Sequence, residues 1–178
     1  MSGAEPSIDR VLFTEEQVER RIGEMAAEIS ARYAGRELKL IGVLKGSVFF
    51  LTALARRLTV PVRVDFLSIS PFGNQKGAPG VVRIAKDLDE GIQGEHVLLV
   101  EDIVDTGFTA RYLLQNLAGR GPESIGLCTL LDRTTRRIVQ IPVDFRCFEI
   151  PDRFVVGFGL DFKQLYRNLG YIAALKHD

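Results

Sequence analysis

The sequence predicts an α/β fold with a parallel core sheet of about five strands and helices on both of its faces. Short apolar segments typical of buried strands alternate along the chain with segments of helical periodicity. The length of 178 residues is ordinary for a single domain. Hydrophobic residues make up 46% and charged residues 26%, which are values close to those of an average globular protein. We therefore expect one packed domain.

The first helix is predicted to begin at a capping box, in which Thr14 and Gln17 satisfy each other's backbone amides. Apolar residues then recur at steps of three and four, the period of one helix face: Val18, Ile22, Met25, Ala26 and Ile29. Buried strands are predicted over five apolar segments: residues 38–44, 62–69, 96–100, 124–131 and 143–150. Helical patterns follow the first and third of these strands, the latter with Leu113, Leu114 and Leu117. A long loop is predicted over residues 70–83, which hold three glycines and two prolines.

Charge and composition exclude several classes of protein. The formal net charge is zero, so nothing favours a nucleic acid or an anionic membrane as partner. No apolar run approaches the ~20 residues of a membrane-spanning helix, and no secretory signal is visible. Cys128 and Cys147 lack the spacing of metal ligands and are expected to be buried reduced thiols, which fits a cytoplasmic protein. His96 and His177 are isolated, and no ligand role is assigned to them.

Residues 100–110, VEDIVDTGFTA, place three acids directly after an apolar strand. Ligands bind at the carboxyl ends of the strands in such sheets. Gly107 permits a tight turn, after which the amides of residues 105–109 can converge on a phosphate, with Thr106 and Thr109 as hydroxyl donors. A single acid here would be interpreted as a solvated group that stabilises the helix dipole. Three acids in five residues instead favour sugar hydroxyls, or Mg²⁺ shared with a substrate, as partners.

The same stretch resembles the phosphoribosyl pyrophosphate (PRPP) signature of type I phosphoribosyltransferases. GVLKGS at residues 42–47 resembles the pyrophosphate loop of the hypoxanthine-guanine phosphoribosyltransferases. Residues 148–169, FEIPDRFVVGFGLDFKQLYRNL, resemble the purine-binding and magnesium-binding segment of that family. The resemblance extends from about residue 8 to the end of the chain, and the three motifs occur in the family's order.

The resemblance implies a type I phosphoribosyltransferase fold with a parallel core and a small hood over the base. The core is expected over about residues 36–150, and the hood is expected to come from about 1–35 and 151–178. It also implies the substrates, PRPP and a 6-oxopurine, with Mg²⁺ as cofactor. The expected products are a nucleoside monophosphate and pyrophosphate. A homo-oligomer, dimer or tetramer, is expected by resemblance.

The resemblance further implies a role for each matching residue. The PRPP ribose and phosphate site comprises Glu101, Asp102, Asp105, Thr106, Gly107, Phe108 and Thr109. The pyrophosphate site comprises Lys45, Gly46 and Arg167, and in the family the peptide bond beside this lysine can be cis. The purine site comprises Arg133, Phe154 and Val155, and the metal ligands are Glu101, Asp102 and Asp161. Asp105 matches the general acid/base near N7 of the purine.

Four residues, at three places in the chain, depart from the family pattern. Arg133 stands where the family has a lysine that contacts the exocyclic oxygen, which leaves xanthine or another oxo-base open as substrate. Pro71 and Phe72 stand where the family has a Ser-Tyr pair in the mobile loop. Phe108 replaces a polar residue of the phosphate loop, so phosphate affinity would depend more on backbone amides and the two threonines.

Two readings of function remain open at this point. The favoured one is a purine-salvage phosphoribosyltransferase. The alternative is a PRPP-sensing regulator of the same fold with weak or no catalysis, which the altered loop motivates. Neutral charge and the matches at Lys45, Asp105, Asp161 and Arg167 argue for the enzyme. A plain dinucleotide-binding domain is excluded because no G-x-G-x-x-G follows the first strand.

Overall fold

The computed structural model describes residues 7–71 and 82–176. Three helices lie within these ranges: α1 Glu15–Arg32, α2 Ser47–Ala55 and α3 Phe108–Ala118. The described strands are β1 Ile8–Phe13, β2 Leu38–Leu44, β3 Val62–Pro71, β4 Val82–Lys86, β5 His96–Val104, β6 Ser124–Asp132, β7 Phe145–Glu149, β8 Val155–Val156 and β9 Ile172–Leu175. A short 3-10 helix at Thr134–Arg136 follows β6.

The large sheet has six strands in the order β4-β3-β2-β5-β6-β7. Five of these strands, β3, β2, β5, β6 and β7, are mutually parallel, and β4 is antiparallel to β3 at the edge. The predicted parallel core of about five strands is therefore confirmed. Because connections between parallel strands cross over one face of the sheet, the helices cover it on both sides.

Each face of the large sheet carries its own hydrophobic cluster. Helices α1 and α2 pack on one face, where Ile22, Met25 and Phe50 are fully buried. Helix α3 packs on the other face through Leu113 and Leu117. The predicted capping box of α1 is present, with both the Thr14 and the Gln17 hydrogen bonds formed. All five apolar positions predicted for its buried face are buried.

Several predicted boundaries were wrong: β7, predicted over residues 143–150, spans Phe145–Glu149, and two other differences bear on the site. Strand β5 was predicted to end at residue 100 but extends to Val104, so Glu101 and Asp102 lie within the strand. The register with β6 runs from His96 to Val104, and backbone pairing thus continues past the point where the apolar pattern stops. The predicted loop over residues 70–83 is also too long, because its ends pair in the sheet, Ser70 with Arg83 and Pro71 with Val82. Phe72, one of the two departures in this loop, lies outside the described residues.

A second, antiparallel sheet joins the two ends of the chain in the order β1-β9-β8. The Phe13 ring at the end of β1 stacks on Phe148 of β7, with ring centroids 4.0 Å apart, which connects the two sheets. An ion pair of 3.1 Å between Arg153 and Asp9 also joins the chain ends. The division into a core over residues 36–150 and a hood from both ends stays a prediction.

Two further features complete the scaffold. Arg21 of α1 donates hydrogen bonds to the carbonyl oxygens of Cys147 and Arg146 on the edge strand β7. Cys128 and Cys147 are buried and free, as predicted, and burial raises the pKa of the Cys147 thiol to about 12. No helix in the described ranges is long and apolar enough to cross a membrane. His96 contacts the Ser124 hydroxyl at 2.8 Å, and His177 lies outside the described residues.

Candidate active site

The predicted site residues follow three adjacent strands of the large sheet. Lys45 and Gly46 follow β2, residues 105–109 follow β5, and Arg133 follows β6. Since β2, β5 and β6 are parallel neighbours, their carboxyl ends meet at one edge of the sheet. The peptide bond between Leu44 and Lys45 is cis, as the family resemblance allows. The Lys45 side chain is exposed there.

A small cavity lies at the end of β5. It measures about 120 Å³, and Glu101, Asp105, Thr106, Gly107 and Thr109 are in its wall. Gly107 has φ +91°, a left-handed conformation that side chains disfavour, and it is the N-cap of α3. The first amides of a helix have no acceptor within the helix, and the positive end of the helix dipole points the same way. The amides at the start of α3 therefore give this side of the cavity the polarity of an anion-binding site.

Glu101 and Asp102 occupy different surroundings although they are consecutive. Side chains alternate across a strand, so the two carboxyl groups point to opposite faces of the sheet. Glu101 is buried at the cavity, and burial, followed by the charge of Asp102, raises its pKa well above the ordinary value. Burial also raises the pKa of Asp102 to about 6, while a backbone hydrogen bond from Ile103 and the charge of Arg167 act in the opposite direction.

Asp102 belongs to a compact group formed by three loops. A methyl group on Gly46 would overlap the Asp102 carboxylate, so this loop approaches β5 as closely as only glycine permits. A methyl group on Gly159 would in turn overlap the carbonyl oxygen of Gly46. Arg167 donates to the carbonyl oxygen of Gly159 at 2.6 Å and pairs with Asp161 at 2.7 Å. The structure thus brings Gly46 and Arg167 of the predicted pyrophosphate site together with Asp102 and Asp161 of the predicted metal site, while Glu101 lies at the other cavity.

Asp105 is the centre of a second group, made of arginines. Arg133 donates from Nη1 to Oδ2 of Asp105 at 3.2 Å and from Nη2 to the carbonyl oxygen of Arg153 at 2.6 Å. Arg136 contacts the same carboxylate oxygen at 3.5 Å. Two buried atoms of this group have no hydrogen-bond partner within the described residues, namely Oδ1 of Asp105 and Nε of Arg133. The group therefore holds one unpaired acceptor, on Asp105, and one unpaired donor, on Arg133.

The aromatic and hydrophobic residues of the predicted site are placed as follows. Phe154 is 44% exposed, and its ring meets the edge of Phe162 with centroids 5.7 Å apart. Val155 is buried in β8, directly after the Arg153 and Phe154 pair. The Phe108 ring lies 5.9 Å from the Arg111 guanidinium at the start of α3. Phe154 and Val155 are thus linked to Asp105 through Arg153 and Arg133.

The carboxyl groups of Asp102 and Asp161, which both lie near Arg167, fit a magnesium ion shared with a substrate, whereas Glu101 points to the other face of the sheet. Within residues 7–71 and 82–176, no group of three His, Cys, Asp or Glu side chains is arranged to hold a metal alone. Mg²⁺ commonly uses only one or two carboxylates, with water and substrate phosphates as its other ligands. The pKa of Asp102 is raised chiefly by burial, and a bound cation would stabilise the ionised form of this carboxyl group.

Several residues of the site received no role from the sequence. Arg136 and Arg137 lie in the segment directly after β6, and both contact Asp105. Arg136 contacts its carboxylate, and Arg137 donates to its backbone carbonyl oxygen at 3.0 Å. Buried Asp132 pairs with Arg137 and Arg146. Gly159 packs on the pyrophosphate loop. The signal for the arginines was the pair of basic residues directly after a buried strand that ends on an acid.

Comparison with known proteins shows what the chain resembles. Residues 12–163 match the family model of the phosphoribosyl transferase domain. A hypoxanthine-guanine phosphoribosyltransferase of Mycobacterium avium is 45% identical over 174 residues, which are 94% of this chain and 86% of that protein. A hypoxanthine phosphoribosyltransferase of Haemophilus influenzae is 45% identical over 165 residues, with coverages of 91% and 92%. A crystal structure of a hypoxanthine-guanine phosphoribosyltransferase from Bacillus anthracis has a TM-score of 0.91 at 39% identity, covering 96% of this chain and 100% of that one.

Proposed function

Because this chain belongs to the phosphoribosyltransferase family, and within it to the hypoxanthine-guanine phosphoribosyltransferases, we propose that its site joins a 6-oxopurine to PRPP. In this reaction N9 of the base forms a bond to C1′ of the ribose, and the bond from C1′ to pyrophosphate breaks. The products are a nucleoside monophosphate and pyrophosphate. The named relatives are enzymes by name, which supports turnover over the regulatory alternative.

The observation that carries the proposal is that two residues of the matched motifs meet: Arg133 donates to Asp105 at 3.2 Å, and each has one side-chain atom without a partner among the described residues. Oδ1 of Asp105 can accept a hydrogen bond, and Nε of Arg133 can donate one. A 6-oxopurine in its N7–H form offers the complementary edge, a donor at N7 and an acceptor at O6. A 6-aminopurine would set its amino group against the Arg133 donor and leave a buried group unpaired. The pattern therefore favours hypoxanthine, guanine or xanthine over adenine.

Asp105 is suited to move the proton that the reaction releases. As N9 bonds to C1′, the proton on N7 passes to Oδ1 of Asp105, and the base keeps no net charge. Its other oxygen, Oδ2, is already held by Arg133 and Arg136, which fixes the orientation of the carboxylate. Proton transfer by a positioned side chain commonly contributes on the order of 10²–10⁴ in rate.

The remaining parts of PRPP match the other two regions. The cavity at the start of α3 suits the 5′-phosphate, with its amides and with Thr106 and Thr109. The carboxylates of Glu101 and Asp102 lie where positive charge would develop on the ribose, so they stabilise the transition state more than the substrate. Lys45, the Gly46 amide and Arg167 would meet the leaving pyrophosphate. Asp102 and Asp161 would hold Mg²⁺, which would neutralise charge on the leaving group when bound.

The test is an assay of the purified protein with PRPP, Mg²⁺ and four bases: hypoxanthine, guanine, xanthine and adenine. We expect nucleotide and pyrophosphate to form with at least one 6-oxopurine and at most traces to form with adenine. Asp105→Asn should lower kcat by roughly 100-fold or more. The matched control is Asp152→Asn, which removes an exposed carboxylate 3.8 Å from Arg136 and should leave kcat nearly unchanged. Absence of product with every base would favour the regulatory alternative.

The proposal extends to the state of the enzyme in the cell. We infer a cytoplasmic, self-associating protein, which is supported by the two buried free thiols and by the relationship to the family. Light scattering of the purified protein tests the second part, since a mass of about 20 kDa would mean a monomer and contradict it.

A further inference from the structure

The turn that contains Asp105 and Thr106 is hydrogen-bonded to residues 137–139, the segment that follows the short 3-10 helix. The carbonyl oxygen of Thr106 accepts hydrogen bonds from the amides of Ile138 and Val139, both at 3.0 Å. The carbonyl oxygen of Asp105 accepts one from Nε of Arg137, also at 3.0 Å. Two successive carbonyl groups of the turn therefore point at residues 137–139.

This anchoring determines where the amides of the turn point. In a trans peptide plane the C=O and the following N–H point in opposite directions. With the carbonyls of Asp105 and Thr106 held by residues 137–139, the N–H groups of Thr106 and Gly107 point away from that segment. The cavity wall contains residues 105–107 but, within the described residues, none of 137–139. The amides are thus presented on the cavity side.

Arg137 connects this arrangement to the sheet. Its Nη2 pairs with the Asp132 carboxylate at the end of β6, and Asp132 is only 3% exposed. Its Cδ would lie 3.0 Å from a methyl group on Gly107, so its aliphatic part also packs against the N-cap of α3. The Arg137 side chain is 9% exposed. One buried guanidinium therefore spans from a buried strand end to the backbone of the turn.

We propose that Arg137 is a positioning residue for the 5′-phosphate of PRPP: it links Asp132 to the carbonyl of Asp105 and so holds the amides of Thr106 and Gly107 toward the cavity. This inference rests on the proposed function. It assigns to Arg137 no contact with substrate. Its effect should fall on the binding of the sugar phosphate and much less on the binding of the base, which lies on the Arg133 side of Asp105.

The first test measures the Michaelis constants of Arg137→Met for both substrates. Methionine retains the packing of the aliphatic part but donates no hydrogen bond, so the Asp105 carbonyl loses its anchor. We expect the KM for PRPP to rise roughly tenfold, which is the size of one lost hydrogen bond to a charged donor. The KM for hypoxanthine should change less than threefold. Binding of ribose 5-phosphate, followed by calorimetry, should weaken in parallel.

The matched control is Arg146→Met. Arg146 is the other partner of Asp132, at 3.0 Å, and its loss changes the net charge and the pairing of the same buried acid. Its described side-chain contacts are with Asp132 and Glu149 and not with residues 105–109. The KM for PRPP should therefore stay at the wild-type value in this variant. An equal rise in both variants would show a general effect on Asp132 and would overturn the proposal.

A second variant covers the case that Arg137→Met does not fold. Arg137→Lys keeps a positive charge for Asp132, but one ammonium cannot reach both the carboxylate and the Asp105 carbonyl with the fork geometry of a guanidinium. We expect near wild-type thermal stability with a raised KM for PRPP. A wild-type KM in Arg137→Lys would contradict the proposal. Failure of the proposed function itself is distinguishable, because the wild-type protein would then form no nucleotide.

Discussion

Asp102 and Asp105 are three residues apart and face different electrostatic surroundings. Asp105 is held by the guanidinium groups of Arg133 and Arg136. Asp102 is buried against Gly46, and its pKa is raised to about 6 because burial outweighs the attraction of Arg167. Between about pH 4 and pH 6, Asp102 is therefore protonated in the folded state and ionised in the unfolded state. The end of β5 thus carries two different acids: Asp105 is oriented by two guanidinium groups, and a bound cation would stabilise the ionised form of Asp102.

Asp102→Asn should make the free protein more stable at neutral pH. The folded-state pKa is about 6 against an ordinary 3.8, so wild-type stability falls as the pH rises from about 4 to about 6. The variant lacks this loss and should gain on the order of 2 kcal/mol at pH 7, with little gain at pH 4. Urea unfolding at both pH values measures the difference, and a gain independent of pH would refute the assignment.

Asp87 provides a control of opposite sign. Its pKa is lowered, chiefly by the hydrogen bonds from Arg120, so it stabilises the fold above its unfolded pKa and loses that contribution as the pH falls. Asp87→Asn should therefore destabilise the protein at pH 7 relative to pH 4. Its carboxylate is exposed, and the effect will be small.

At the scale of the elements, the sequence predicted the five parallel strands of the large sheet and missed β1, β4, β8 and β9. The bounds of β2 were predicted as the structure has them, because all its residues but the last are buried and apolar contacts follow the sequence pattern. Strand β8 has only two residues, too few to show a period of two. Strand β5 continues through Glu101 and Asp102 because pairing with β6 overrides the polarity of those side chains.

The sequence motifs selected the residues of the candidate site but did not show the contacts between them. Motifs identified Asp105 and Arg133, but no sequence pattern showed that their side chains meet at 3.2 Å. The same holds for Arg137 and Asp132, whose pairing depends on how the chain after β6 turns back toward β5. Contacts of this kind arise from tertiary packing, which local periodicity does not encode.

The turn between β5 and α3 should tolerate no side chain at Gly107. Gly107→Ala places a methyl group at φ +91° and against the Val139 carbonyl and the Arg137 side chain. We expect a loss of about 1–3 kcal/mol in unfolding free energy and a raised KM for PRPP. Gly121→Ala separates the two causes, since φ is +72° there but the nearest atom, Cγ of Gln93, is 3.7 Å away. That control should lose about 1 kcal/mol and retain its KM; equal behaviour of the two variants would contradict the close contact.

At the scale of the whole molecule, the two ends of the chain connect to Asp105, the proposed general acid/base. Asp9 near the start of β1 pairs with Arg153, and the Arg153 carbonyl accepts a hydrogen bond from Arg133, which holds Asp105. The small sheet and the large sheet therefore meet at the base region. Ligands that bridge the two should stabilise the molecule as a unit.

PRPP with Mg²⁺ should raise the melting temperature of the protein, and removal of the metal should reduce that shift. A ligand at 100 times its Kd adds about 2.7 kcal/mol, which is roughly 5–10 °C for a domain of this size. With PRPP and EDTA we expect less than half of this shift, because the phosphates then face Asp102 and Asp161 without an intervening cation. Asp161→Asn should reduce the metal-dependent part. An equal shift with EDTA would remove these carboxylates from the metal site.

Arg21 has a consequence for how the protein behaves in a crowded solution. Strand β7 is the last strand of the large sheet, and an uncovered last strand is a template on which a second molecule can add a strand and start an aggregate. The guanidinium of Arg21 donates to the carbonyl oxygens of the consecutive residues Arg146 and Cys147, one of which faces the open edge of the strand, where such an addition would take place. A single side chain from the first helix thereby helps to keep the enzyme from polymerising through its own sheet.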